Sequence, residues 1–186
     1  MLYDFLGALA SLIATYYFIR IDSKAWAFSI VATCLNSWLY LQNGIFADMV
    51  LEMFYFLSTC YGWYRWANSS PNEEKHIVFP SSIQWFFLVV AGIAIYAIIY
   101  YILITFTPST IPKLDALTTS LSLIAQLLMC YKVIATWILW FITDALYFLI
   151  YSKKLLPFHA GLMIVYCIMA IIGYMSWMKQ QKRPMA

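Results

Sequence analysis

At 186 residues, with 65% of them hydrophobic and only 10% charged, the chain does not have the composition of a soluble globular protein. Its formal net charge of +3 is small, and where the positive charges fall matters more than their sum.

Apolar stretches close to twenty residues recur along nearly the whole chain, the helix length that crosses about 30 Å of hydrocarbon. In chain order the pattern predicts seven spans, at 2–19, 25–41, 45–66, 85–106, 114–131, 134–151 and 157–178. A membrane β-barrel would instead need stretches of about ten residues alternating apolar and polar. The run from Ile93 to Ile99 does not alternate. No Lys or Arg precedes the first apolar run, so it lacks the basic region of a signal peptide and is expected to stay as a helix. The longest connection, 67–84, is polar from Asn68 to His76 and carries Pro71 and Pro80, which reads as a flexible, solvated tether. Cys34, Cys60, Cys130 and Cys167 fall inside spans without metal-ligand spacing and read as small packing residues.

Numbering the two sides by parity separates the cations. Lys113, Lys153 and Lys154 share one side; Arg20, Lys24, Arg65, Lys75, Lys132, Lys179, Lys182 and Arg183 share the other. The richer side is expected in the cytoplasm, with the N-terminus outside and the C-terminus inside. Lys132 is expected to snorkel from a cytoplasmic helix end, and Trp63, Trp66 and Trp177 to form part of an interfacial belt. The basic tail then serves as a topology anchor, and no nucleic-acid partner is implied.

The chain is also written twice. Shifting the sequence by 111 positions brings Asp4 onto Asp115, the run 11–14 onto 122–125, Trp26 onto Trp137, Tyr55 onto Tyr166, Gly62 onto Gly173 and Trp66 onto Trp177. Spans one to three thus repeat as five to seven, with the fourth carrying the chain back across. An offset of four spans, an even number, makes the copies parallel, as in sugar transporters of the SWEET type. The expected organisation is an all-α integral membrane protein with seven transmembrane helices in a parallel 3+1+3 arrangement. Residues 1–66 form the first repeat, 67–113 the linker and fourth helix, and 114–186 the second repeat with its tail.

Charged groups within a span are costly and therefore candidates for function. Asp48, about a turn inside the third span, reads equally as an entrance residue or an interfacial carboxylate. Glu52 and Asp144 each lie about seven residues, or ~10 Å, below the outer boundary, one in each copy. Their counterparts in the other copy are Met163 and Thr33. Trp137, Trp140, Asp144 and Tyr147 form one helical stripe, and Glu52, Tyr55, Phe56 and Thr59 another; Gln126 adds a neutral polar group. Aromatic walls with a few carboxylates suit a flat, cationic heteroaromatic ligand, although packing alone also produces such stripes. The candidate binding residues are therefore Glu52, Tyr55, Thr59, Gln126, Trp137, Trp140, Asp144 and Tyr147. No catalytic or nucleotide-binding motif appears, so neither an enzyme nor a resident cofactor is expected, and no ATP-driven pump in this chain alone.

The third span runs Phe46-Ala47-Asp48 to Glu52 and Tyr55, and ends Tyr61-Gly62-Trp63-Tyr64-Arg65-Trp66. Trp137 and Trp140 with Asp144 follow in the sixth, and Gly173-Tyr174-Met175-Ser176-Trp177 in the seventh. This pattern closely resembles the PnuC family of bacterial vitamin transporters over nearly the whole chain. The resemblance implies a multi-pass protein of the bacterial cytoplasmic membrane, commonly a homotrimer. It also implies facilitated diffusion of a cofactor precursor, trapped inside by a cytoplasmic kinase. Nicotinamide riboside is the expected cargo. Members that carry it tend to have Gln where Glu52 stands and Asn at Thr59 and Asp144, so thiamine is the alternative. A proton-coupled variant, with Glu52 or Asp144 carrying the proton, is the nearest mechanistic competitor.

Overall fold

A computed structural model of the chain describes residues 2–42, 46–69, 76–107, 110–153, 155 and 157–181, without the side chains of 2–4, 39–40 and 46–50. The side chain of Asp48, residues 70–75 of the linker, Lys154, and Lys182 and Arg183 of the tail lie outside what is described.

Among the described residues seven helices follow one another: α1 (Leu2–Ile19), α2 (Lys24–Gln42), α3 (Phe46–Ala67), α4 (Ser82–Phe106), α5 (Pro112–Cys130), α6 (Ala135–Lys153) and α7 (Pro157–Gln181). Their bounds follow the apolar runs closely. By length and composition α4, α6 and α7 are each able to cross a membrane. The remaining helices are diluted by hydroxyl, amide and acidic side chains, and among the described residues Ser11, Thr33, Glu52, Thr59, Ser122 and Gln126 turn inward.

Among the described residues, each helix except α4 packs against two ring neighbours, in the order α1, α2, α3, α5, α6, α7 and back to α1. This is a closed ring of six. The helix α4 leans on α5 alone and buries none of its residues. It starts with a capping box, in which Ser81 Oγ accepts from the Gln84 N–H at 3.4 Å and Gln84 Oε1 accepts from the Ser81 N–H at 2.8 Å. Its outer face is continuously apolar, as a lipid-facing helix must be.

The two copies repeat at the level of single hydrogen bonds. After α1, the N–H of Ile21 bonds to the carbonyl of Phe18 and that of Asp22 to Tyr17. After α5, the N–H of Lys132 bonds to Met129 and that of Val133 to Leu128, each exactly 111 positions on. Both turns are Schellman caps, which place one residue in the left-handed region. That residue is Ile21 (φ 54°) in the first copy and Lys132 (φ 53°) in the second. Neither is glycine, so each turn carries backbone strain that its packing must offset.

Packing repeats as well. The ring of Trp26 covers Gly62, and the ring of Trp137 covers Gly173, where a Cβ would stand 2.6 Å from the indole. Trp66 meets Trp26 edge-on at 5.3 Å, and Trp177 meets Trp137 edge-on at 5.5 Å. Across the two seams, Trp66 Nε1 donates to the carbonyl of Cys130 and Trp177 Nε1 to that of Phe18. Trp66 and Trp177 are therefore buried joints between copies, 4% and 0% exposed, and not members of an interfacial belt. Trp63 is exposed, as a belt residue would be.

Two further expectations are corrected at this end of the bundle. The linker is not solvated throughout: Ile77 is 2% exposed within the aromatic core, and Val78 pairs with Val133 through a short parallel bridge. The Val78 N–H donates to the Lys132 carbonyl, and the Ile134 N–H to the Val78 carbonyl, both at 3.0 Å. Two adjacent apolar residues, Ile77 and Val78, supply the drive that a polar reading of the segment overlooks. Lys132 does not snorkel outward. It is buried, with Nζ 5.1 Å from the Trp66 ring and 3.4 Å from Ser69 Oγ. Of the cysteines, Cys130 is buried and packed as expected, whereas Cys34 faces outward.

Candidate functional site

Inside the ring lies a cavity of about 680 Å³. Every residue that the sequence nominates borders it: Glu52, Tyr55 and Thr59 from α3, Gln126 from α5, and Trp137, Trp140, Asp144 and Tyr147 from α6. The one-turn spacing aims the α6 stripe and Glu52, Tyr55 and Thr59 of α3 at the same space. Phe56, counted in the α3 stripe, is exposed and does not border it, since it follows Tyr55 directly and turns about 100° away.

The cavity straddles the axis that relates the copies. Its wall holds repeat-related pairs: Ser11 with Ser122, Thr15 with Gln126, Ser29 with Trp140, Thr33 with Asp144, Asn36 with Tyr147, Glu52 with Met163, Tyr55 with Tyr166, and Thr59 with Ala170. Only the first and seventh of these pairs keep the same residue. The frame is duplicated faithfully and the lining is not, so the cavity is asymmetric in chemistry although symmetric in position.

The floor is the aromatic core. Ala14, Phe18, Met129, Trp137 and Ala170 border the cavity and also belong to the buried cluster that contains Trp26, Trp66, Ile77 and Trp177. The cavity is thus closed at the end of the bundle that carries Arg20, Lys24, Arg65 and Lys132. There Arg65 lies 4.0 Å from the centre of the Tyr131 ring, and Tyr131 shares a 2.9 Å hydrogen bond with Tyr61. Trp137 is 2% exposed and wedged on Gly173, so packing accounts for its place in the stripe as well as any ligand contact would. Its buried indole N–H has no hydrogen-bond partner among the described residues, and the same holds for its counterpart Trp26, which does not border the cavity, so the unpaired N–H belongs to the duplicated packing.

Higher up, the charge is of one sign. Glu52, Asp115 and Asp144 line the wall, and the described lining contains no Lys, Arg or His. Asp144 is 8% exposed. Thr59 Oγ1 accepts from Gln126 Nε2 at 3.2 Å across the α3–α5 seam. Glu52 Oε1 accepts from Asn36 Nδ2, also at 3.2 Å. Sequence reasoning overlooks Asn36, Thr15, Ser29 and Tyr166, because neutral polar groups in a span are cheap enough to pass as packing. Pairing each nominated residue with its counterpart 111 positions away finds all four: Thr15 from Gln126, Ser29 from Trp140, Asn36 from Tyr147 and Tyr166 from Tyr55. A wall of this kind attracts cations, offers several acceptors for hydroxyl or amine donors, and stacks planar rings.

A family model described as nicotinamide mononucleotide transporter matches residues 1–179. Relatives include the nicotinamide riboside transporter PnuC of Escherichia coli (strain K12), 20% identical over 181 residues, covering 83% of this chain and 76% of that protein. The protein of the same name from Neisseria mucosa is 22% identical over 172 residues, covering 85% of this chain and 65% of its own length. In fold, the chain is similar to a crystal structure of the vitamin B3 transporter PnuC, with a TM-score of 0.78 at 19% identity, covering 96% of this chain and 81% of that one. The closed ring, the duplicated frame and the match over nearly all its length together make this chain a member of the PnuC family of multi-pass membrane transporters.

Proposed function

We propose that the chain takes up a cationic vitamin precursor by facilitated diffusion, with nicotinamide riboside as the first candidate. One observation carries this: carboxylates from both copies, Glu52 and Asp144, border one aromatic-walled cavity whose described lining has no basic side chain. A pyridinium is cationic and flat, and its ribose supplies hydroxyl donors. The names of the relatives point to the same cargo.

The closed floor gives the cycle its form. Cargo enters above the aromatic core; the core then parts as the two copies rock about their seams, and release follows on the other side. By the charge bias the closed end is cytoplasmic, with the N-terminus outside, in the bacterial inner membrane. Phosphorylation by a cytoplasmic kinase turns the cargo into an anion that Glu52, Asp115 and Asp144 repel, so uptake becomes one-way without an ion gradient. The homotrimer implied by the family resemblance is part of this proposal.

Thiamine is a second reading, favoured by the same two acids: its thiazolium is cationic and its aminopyrimidine donates to a carboxylate. Binding of nicotinamide riboside, thiamine and neutral riboflavin to the purified protein, measured by calorimetry, separates the cargoes. The proposal expects at least one of the two cations to bind and riboflavin to bind much more weakly. Binding of neither cation ends it.

A further inference from the structure

Asn36 does not belong to the stripes that the sequence displays, yet it makes a well-defined polar contact inside the cavity. Its amide nitrogen donates to Glu52 Oε1 at 3.2 Å, which ties α2 to α3. The amide oxygen faces α1. A Cβ on the buried Gly7 would stand 2.6 Å from Asn36 Oδ1, and its next nearest neighbour would be the same amide's carbon at 3.7 Å. One hydrogen at position 7 leaves the amide its room; a methyl group would take it. The intruding atom is the end of a movable side chain, so the helices tolerate the methyl and the amide turns away.

The other copy sharpens the point. The counterparts of Gly7, Asn36 and Glu52 are Thr118, Tyr147 and Met163, all three on the cavity wall. Not one of the three is kept, whereas the residues that hold the frame together, such as Trp26 with Trp137 and Gly62 with Gly173, are kept. A trio that changed at every member inside a conserved frame serves the lining and not the fold.

We propose that Asn36 is a positioning residue for Glu52, with Gly7 the clearance that lets it act. Fixing one carboxylate oxygen stops the group from turning about its terminal bond and presents it to the cavity in one orientation. Granted that this cavity binds the cargo, Asn36 sets affinity through Glu52 without needing to touch the ligand itself.

The test is a double-mutant cycle in the full-length protein, Asn36→Ala against Glu52→Met, with Gly7→Ala alongside and Gly161→Ala as control, since nothing lies within 4 Å of a Cβ at 161. The dissociation constant for nicotinamide riboside and thiamine and the ligand-free melting temperature are read for every variant. Asn36→Ala and Gly7→Ala are expected to weaken binding about tenfold, the scale of one lost hydrogen bond to a charged group, and Gly161→Ala to leave it unchanged. In the Glu52→Met background Asn36→Ala is expected to add nothing further, in affinity or in melting temperature. Independent addition of the two effects overturns the proposal, as does wild-type affinity in Gly7→Ala. Should the wild type bind neither probe, the cargo reading falls, and the melting-temperature cycle still decides whether Asn36 and Glu52 are coupled.

Discussion

Trp177 donates its indole N–H to the backbone carbonyl of Phe18 at 3.1 Å, so the last helix of the second copy is fastened to the first helix of the first. Trp66 makes the matching bond to Cys130 at 3.2 Å on the opposite seam. Two like joints close the ring beneath the cavity, and any opening toward the closed end must loosen at least one of them.

Gly62→Ala and Gly173→Ala are expected to destabilise the protein by about 1–3 kcal/mol each, because a rigid indole occupies the space a methyl would need. Both losses should be clear, since an indole covers the glycine in each copy, although it does so with different ring atoms. Thermal unfolding in detergent checks this; a neutral effect of either variant would mean that the tryptophans can give way.

Ile77→Ala is expected to cost about 2–5 kcal/mol, the range for truncating a buried aliphatic side chain. Ile98, 60% exposed on α4, should tolerate alanine with little change. Hydrogen exchange provides a second check, with the Val78 and Ile134 amides expected to be protected by their bonds to Lys132 and Val78. Fast exchange at both would contradict a docked linker.

Asp144→Asn is expected to weaken a cationic cargo about tenfold or more while leaving riboflavin, which has no charge to pair, nearly unchanged. Calorimetry on the purified variant measures both. Equal losses would make the carboxylate structural.

Phosphorylated forms of the cargo should fail to bind. The wall offers a phosphate three carboxylates and, among the described residues, no basic side chain. Competition of nicotinamide mononucleotide against labelled nicotinamide riboside tests this, with no displacement expected; displacement at similar concentrations would require a cation that the described lining lacks.

Much of this was legible in the sequence, for reasons that particular residues make plain. The helix bounds follow from apolar runs that must span hydrocarbon. Glu52 and Asp144 announce themselves because a carboxylate there is costly without a purpose. Trp66 and Trp177 were misleading, since a tryptophan at a span end looks the same whether it faces lipid headgroups or donates to a carbonyl across a seam. Lys132 misled similarly, its burial depending on Trp66 and Ser69 from a distant part of the chain. Asn36 carries no charge and no period of its own, so its only signal in the sequence is its place 111 positions before Tyr147. Its importance rests on contacts with α1 and α3 that only the fold creates.

The most direct test of the central claim is uptake into proteoliposomes with labelled nicotinamide riboside and thiamine outside and no ion or voltage gradient. At least one of them is expected to reach equal concentration inside and out and stop there, rising further only when a kinase and ATP are enclosed. Failure of both to enter, or accumulation above equilibrium under an imposed pH gradient, would contradict passive transport through the cavity between the copies.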